Sequence, residues 1–466
     1  MRTACALWLL LAAACGASHE APRTAPATAK PPPSTPASAG PPQPPAAAAA
    51  DVNADATVAS ALQVVSRVRG LAAKQPVPGV RMDCNALFEE VKRLLADEAP
   101  ADVVAGETEV LFALDAVPAN FDLRATLLRL YSSELAGFYD PKLRRMVLAT
   151  DLGRDAEQMT LYHELVHALQ DQHFDLNRVV EHVPEAEDSQ AALHALAEGD
   201  ATSAMTDVFA EASGMAVGQI PAGALKLDVA LLQASPSLRD VPGVIARSLV
   251  APYVDGLAFV RYQREHGGWA SVDAAFQRPP ASTEQLLHPE KYVAAEPVVA
   301  LPPLESPSGS SLDPYRLVMG EQGLRMLFEE WLPAQAAAAA ASGWGGDKLA
   351  VFTQGERRLV KWHLVFDNEV AARRALEAFA RGAARSELGA EYEPLRPFAD
   401  RQRALASIRA GDVCQARTQR GAFAAARHGR HVGVTLGPYQ RAGNSVQGWS
   451  DCGASLKDAR AIARAR

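Results

Sequence analysis

The sequence predicts an α+β fold, mainly helical, with short strands beside one long helix. Three observations predict it. Between positions 56 and 381 apolar residues recur at three- and four-residue spacing in segment after segment, the period of a helix. One stretch without Gly or Pro, Glu157 to Phe174, has an apolar face and a histidine-bearing face. Just before it, two short runs, Ala136–Tyr139 and Arg145–Ala149, flank the turn residues Asp140, Pro141 and Lys142.

Residues 1–14 read as a secretion signal, with Arg2 as its positive charge and Ala6–Ala14 as its apolar stretch. That stretch is too short to span a bilayer. Leu11, Ala12, Ala13, Ala14 and Cys15 match a bacterial lipobox, with Cys15 becoming the lipidated first residue. The alternative is ordinary secretion with cleavage near Ala17. Residues 15–53 form a disordered Pro/Ala-rich linker, because nothing in them can build a core. The expectation is an exported chain held at a membrane, the outer membrane first, by a lipid anchor, and otherwise periplasmic or secreted. A formal charge of −8 leaves no basic footprint, which argues against nucleic acid as a partner. Cys5 leaves with the signal. Of the remaining thiols, Cys414 and Cys452 are the expected disulfide in an oxidising compartment.

The folded region begins near residue 54, with one domain expected over 54–333 and a C-terminal α+β region over 343–466. Ala56–Arg69 and Asn85–Ala96 read as helices on Leu62, Val65, Val68 and on Leu87, Val91, Leu94, Leu95. Asn120 or Asp122 caps a helix running through Ser133. The strand pair around Asp140 follows, with Gly137 to Tyr139 at or next to a sheet edge.

The long helix then carries His163, Glu164 and His167 in the order H-E-x-x-H. Histidines four apart project from one face, so both imidazoles can reach one zinc ion at about 2.0–2.1 Å. Glu164 sits where it can take a proton from water at the open coordination position. This is the pattern of a zinc metallopeptidase helix. Asp188–Ala212 reads as a second helix. In it Glu198 is the candidate third ligand, 31 residues after His167, with His194 one turn earlier as its rival. Asp200 is placed to hydrogen-bond a ligand histidine and fix its tautomer. Gly199 is costly inside a helix and points to close helix packing near the metal.

Val241–His266 reads as helical, with Pro252 a possible kink and Gly267, Gly268 and Trp269 turning the chain. Val272–Phe276 is a short helix ended by Pro279 and Pro280. Ser282 or Thr283 opens another helix start. His288 after it has two readings: catalytic, stabilising an oxyanion, or anchoring a loop. Asp313–Glu330 reads as a helix, Gly343–Gly346 as a turn, Leu349–Thr353 with Val360–Phe366 as a hairpin, and Asn368–Arg381 as its helix. His363 reads as an exposed strand histidine. Leu405–Ile408, Val413–Thr418 and His431–Leu436 are weaker strand candidates, in a small sheet clamped by Cys414 and Cys452.

Five stretches carry a family resemblance: A-G-F-Y-D-P at 136–141, H-E-L-V-H-A-L-Q-D-Q-H-F-D-L at 163–176, E-G-D-A at 198–201, S-T-E-Q-L-L-H-P-E-K-Y at 282–292 and G-W-G-G-D-K at 343–348. With them the chain resembles a little-characterised family of bacterial secreted or lipoprotein zinc metallopeptidases of the gluzincin type. The resemblance implies a zincin-like domain, with His163, His167 and Glu198 as Zn(2+) ligands and Glu164 as catalytic base.

The functional expectation is therefore an enzyme that hydrolyses peptide bonds of a peptide or protein substrate with zinc-activated water. Two other classes stand beside it. One is a zinc hydrolase of a non-peptide amide in the cell envelope. The other is a non-catalytic zincin-like lipoprotein used for binding, against which Glu164 speaks, because holding zinc needs no base there.

Overall fold

A computed structural model of the chain describes residues 52–465 apart from 99, 135, 151–152, 181–182, 216–237, 239, 311–313, 389–410, 418 and 443–444. The expected signal, Cys15, nearly all of the linker, the expected break at 219–224 and the strand candidate at 405–408 lie outside the described residues. The fold is α+β and mainly helical, as the periodicity predicted.

Helix α1 (Val52–Arg69) leads through strand β1 (Gly79–Met82) to α2 (Cys84–Glu98), α3 (Ala101–Ala113) and α4 (Leu123–Glu134). Strands β2 (Gly137–Asp140) and β3 (Arg145–Ala149) form as expected and pair antiparallel, Phe138 opposite Val147. Asp140 closes the turn by accepting from the N–H groups of Lys142 and Leu143, both at 3.0 Å. Strand β1 adds in parallel to the far side of β3, giving the order β1-β3-β2 with β2 at an edge. Its four residues offered no periodicity to find it by.

Two long helices, α5 (Arg154–Phe174) and α7 (Glu187–Ala212), follow, joined through the short α6 (Asn177–Val180). Leu161, Leu165, Val166 and Leu169 of α5 pack on Val58, Leu62 and Val65 of α1 and on Tyr139, Met146 and Leu148 of the small sheet. Helix α8 (Gly243–Gln277) lies along α7. It runs through Pro252 without a break. The break falls at Gly267 and Gly268, where Gly268 takes φ +63°. By length and composition α8 could cross a membrane, but 67% of its apolar window is buried inside the protein, as a core helix requires.

Short helices α9 (Thr283–Leu287) and α10 (Pro289–Val293) come next, with Ser282 Oγ capping α9 from Gln285 N at 3.2 Å. Where the sequence predicted one helix over 313–330, the chain forms strand β4 (Tyr315–Leu317), a turn at Gly320 (φ +73°) and helix α11 (Gly320–Phe328). Helix α12 (Ala334–Ala341) leads into β5 (Trp344–Gln354), so most of the stretch read as a turn at 343–346 opens a strand. Strand β6 (Arg357–Phe366) completes the expected hairpin, and helix α13 (Glu369–Leu388) follows, capped by Asn368 Oδ1 on Val370 N and Ala371 N, both at 3.0 Å.

Strands β7 (Asp412–Arg417), β8 (Gly421–His428), β9 (His431–Ala442) and β10 (Ser445–Gly448), then helix α14 (Cys452–Arg464), complete the chain. The large sheet has the order β4-β5-β6-β9-β8-β7, with β10 on β9. It therefore begins at Tyr315. Alternation along β8 divides its two faces. Phe423 and Ala425 enter the main core with Trp362 and Phe379, while Ala424 and Ala426 face Ala459 of α14. The expected disulfide is present: Cys414 of β7 joins Cys452 at the start of α14. His363, read as exposed, is 1% exposed, because β6 is an inner strand of this sheet. Arginines of β7 and the β7–β8 turn donate to carbonyls at the end of α3. Arg417 donates to Ala113 O at 2.9 Å, and Arg420 to Phe112 O at 3.0 Å.

Candidate metal centre

Helix α5 presents His163 and His167 on one face, and α7 brings Glu198 up to them. His163 Nε2 and His167 Nε2 are 3.1 Å apart. Glu198 Oε2 lies 3.0 Å from the first and 3.6 Å from the second. Four ligands around a tetrahedral ion with bonds of about 2.0–2.1 Å stand about 3.3 Å from one another, so three corners of such a tetrahedron are present. All three side chains are at most 1% exposed. Three electron-pair donors converging in a dry site repel one another unless a proton or cation sits among them. A divalent cation fits this mixed N/O set. Burial opposes the charge on Glu198, yet His167, His163 and His194 outweigh it and hold its carboxyl well below the usual range.

The rival ligand, His194, stands on the other carboxylate oxygen, its Nε2 at 3.2 Å from Glu198 Oε1. It braces Glu198 from one turn away and does not join the three-atom group.

Glu164 is wholly buried beside this group. Its Oε2 accepts from the backbone N–H of Tyr139 on the edge strand at 2.9 Å, and its Oε1 has no hydrogen-bond partner among the described residues. Burial pushes the Glu164 carboxyl up to about 8, against the pull of His167 and of the Tyr139 N–H. Tyr139 has its own side chain turned back onto α5, donating to Asp171 Oδ2 at 2.9 Å. It is a packed tyrosine whose main chain holds the glutamate. Asp171 also braces the helix end, accepting from Leu176 N at 3.1 Å.

Asp200 does not reach a ligand histidine directly. Two residues past Glu198, it points about 200° around the helix from it. Gln170 bridges the distance. His167 Nδ1 lies 2.8 Å from Gln170 Oε1, and Gln170 Nε2 donates to Asp200 Oδ2 at 2.8 Å and to Ala197 O at 3.0 Å. Behind Asp200, Arg69 of α1 donates from Nε to Asp200 Oδ1 and from Nη2 to Asp273 Oδ1, both at 2.6 Å. The Arg69 guanidinium lies over the Trp269 ring, 4.4 Å from its centroid. Burial works against the Arg69 charge, but Asp200 and Asp273 prevail and raise its pKa. Sequence reasoning missed Gln170 and Arg69. Gln170 had a signal, three residues after His167 on the same helical face. Arg69, 131 residues from Asp200, had none.

His288 is not brought to this group by any of its contacts. Its Nε2 lies 2.8 Å from Glu321 Oε1 of α11 and its Nδ1 3.7 Å from Glu290 Oε1. The bond to Glu321 raises its pKa against partial burial. These contacts tie His288 to α11. Next to it, Glu284, Glu296 and Asp367 form a second carboxylate cluster of metal-ligand size. Lys291 Nζ fills it, at 2.7, 2.9 and 2.7 Å from the three, so an ammonium already supplies the positive charge.

A family model described as "Domain of unknown function (DUF8575)" matches residues 310–447. That match takes in the large sheet from β4 to β10 and stops short of α5 and α7. No curated protein and no solved structure matches the chain.

Proposed function

We propose that the protein is a zinc-dependent, zincin-like metallopeptidase, exported and tethered through Cys15, in line with its resemblance to gluzincin-type lipoproteins. One observation carries the reading. Three ligand atoms of the right chemistry stand at tetrahedral spacing, and a buried carboxylate on the helix of the two histidines has one oxygen pinned and the other without a hydrogen-bond partner among the described residues.

His163 Nε2, His167 Nε2 and Glu198 Oε2 would hold the ion. Zinc bound there supplies a Lewis acid that polarises a scissile carbonyl and acidifies water. Glu164 takes the proton from the attacking water and returns it to the leaving amine. The Tyr139 N–H keeps Glu164 aimed while it does so.

The test is a set of three variants. Purified chain should hold about one zinc. Glu198→Ala should lower zinc occupancy, and His194→Ala should lower it less. Glu164→Ala should keep zinc and lose peptide hydrolysis. Zinc retained unchanged by Glu198→Ala, or peptide cleaved at the wild-type rate by Glu164→Ala, would end the proposal.

A further inference from the structure

We infer that Gln170 is a positioning residue for the metal centre: clamped by Asp200 and Ala197, its amide holds the proton of His167 on Nδ1 and turns Nε2 toward Glu198 and His163. Its consequence for zinc rests on the reading above, while its geometry does not.

A glutamine amide can be turned either way, and hydrogen bonds must decide. Here they do. At one end of the Gln170 amide stand Ala197 O at 3.0 Å and Asp200 Oδ2 at 2.8 Å. A backbone carbonyl only accepts, and so does a carboxylate paired with arginine. That end must therefore be the NH2, and the other end is the carbonyl oxygen. The carbonyl in turn requires a donor at 2.8 Å, so His167 Nδ1 carries the proton. A neutral imidazole protonated on Nδ1 has its lone pair on Nε2, the atom 3.1 Å from His163 Nε2 and 3.6 Å from Glu198 Oε2.

The clamp is itself fixed. Arg69 holds the far oxygen of Asp200 and is anchored by Asp273 and the Trp269 ring on α8. Gln170, Asp200 and Arg69 are all 0% exposed, so water does not compete for these bonds. A neutral amide passes orientation from a charged pair to the histidine without adding negative charge beside it. A carboxylate at 170 would instead face Asp200 across 2.8 Å. His163 has no such brace, since its Nδ1 is buried without a hydrogen-bond partner among the described residues. His167 is thus the preset arm of the centre.

The experiment uses the full chain stripped of metal, imidazole nitrogen-15 spectra at mildly alkaline pH, and titration with zinc alone. In the wild type, His167 should show a protonated Nδ1. Gln170→Met keeps the length and removes both hydrogen-bonding roles. It should let His167 revert to a mixture of tautomers and weaken zinc binding about 10–100-fold. A bare Nδ1 on His167 in the wild type overturns the inference, as does unchanged zinc affinity in a folded Gln170→Met chain. The wild-type spectrum decides the matter even if the variant fails to fold. A zinc-loaded chain that cleaves no peptide would defeat the catalytic proposal and leave these readouts untouched.

Discussion

Gly199 of α7 and Gly256 of α8 meet backbone to backbone. A Cβ on Gly199 would lie 2.1 Å from the carbonyl carbon of Gly256, and one on Gly256 would lie 1.7 Å from Ala195 O. Neither obstacle is a side chain that can swing away. Propensity alone favours Ala in a helix by about 1 kcal/mol over Gly, but overpacking of this kind costs about 1–3 kcal/mol or more. Gly199→Ala should therefore lower the thermal midpoint. It should also weaken zinc binding, because Glu198 is its neighbour. Gly153→Ala, with nothing within 4 Å of the added carbon, is the control. A raised midpoint in Gly199→Ala would show that the crossing has room to give.

Asp347 anchors the start of β5 to α11. Its Oδ1 accepts from Gly320 N at 3.0 Å and Trp344 Nε1 at 2.9 Å, and its Oδ2 from Met319 N at 3.0 Å and Trp362 Nε1 at 2.9 Å. Asp347→Asn turns one acceptor into a donor facing donors. Since buried unsatisfied groups cost about 1–3 kcal/mol each, a loss of about 3 kcal/mol is expected in denaturant titration. Zinc affinity should stay near wild type, since Asp347 touches none of the three proposed ligands. Unchanged stability would mean the two indoles find other acceptors.

Features written locally were legible in the sequence. The H-E-x-x-H helix, the strands around Asp140 and the hairpin with the helix after it each follow from spacing within a few residues. Gly199 was legible too, since a glycine between Glu198 and Asp200 in a helix needed a packing reason. What remained hidden depends on partners far along the chain. Arg69 meets Asp200, Lys291 meets Asp367, and His363 is covered because β9 pairs beside β6. The strand at Tyr315–Leu317 was read as helix because three residues carry too little pattern. Only pairing with Leu349–Val351 makes it a strand.

The Cys414–Cys452 bridge spans a separation of 38 residues. A loop of that length constrains the unfolded chain by about 4 kcal/mol in the chain-entropy account. Its native job is to fasten α14 to the edge strand β7. Cys452→Ser should lower the unfolding midpoint and expose α14 to proteolysis first. Zinc occupancy at α5 and α7 should be unaffected. Proteolysis beginning elsewhere, with α14 still protected, would show that Ala459 and its neighbours hold the helix unaided.

His363 makes the stability of the large sheet depend on pH. Its Nε2 lies 3.1 Å from His431 Nδ1 across the β6–β9 pair, and the ring is 1% exposed. Burial, reinforced by His431, pushes its pKa down to about 4. The unfolded chain, with an ordinary histidine near 6.5, therefore binds this proton more readily than the folded one. The contribution is complete above that ordinary value and is lost progressively as pH falls toward 4. Over this range it amounts to at most about 3 kcal/mol. Denaturant titrations at neutral and mildly acidic pH should show a larger drop in wild type than in His363→Phe, which has no ring proton to gain. Equal pH dependence in the two chains would mean that His363 charges in place, with water reaching the β6–β9 seam.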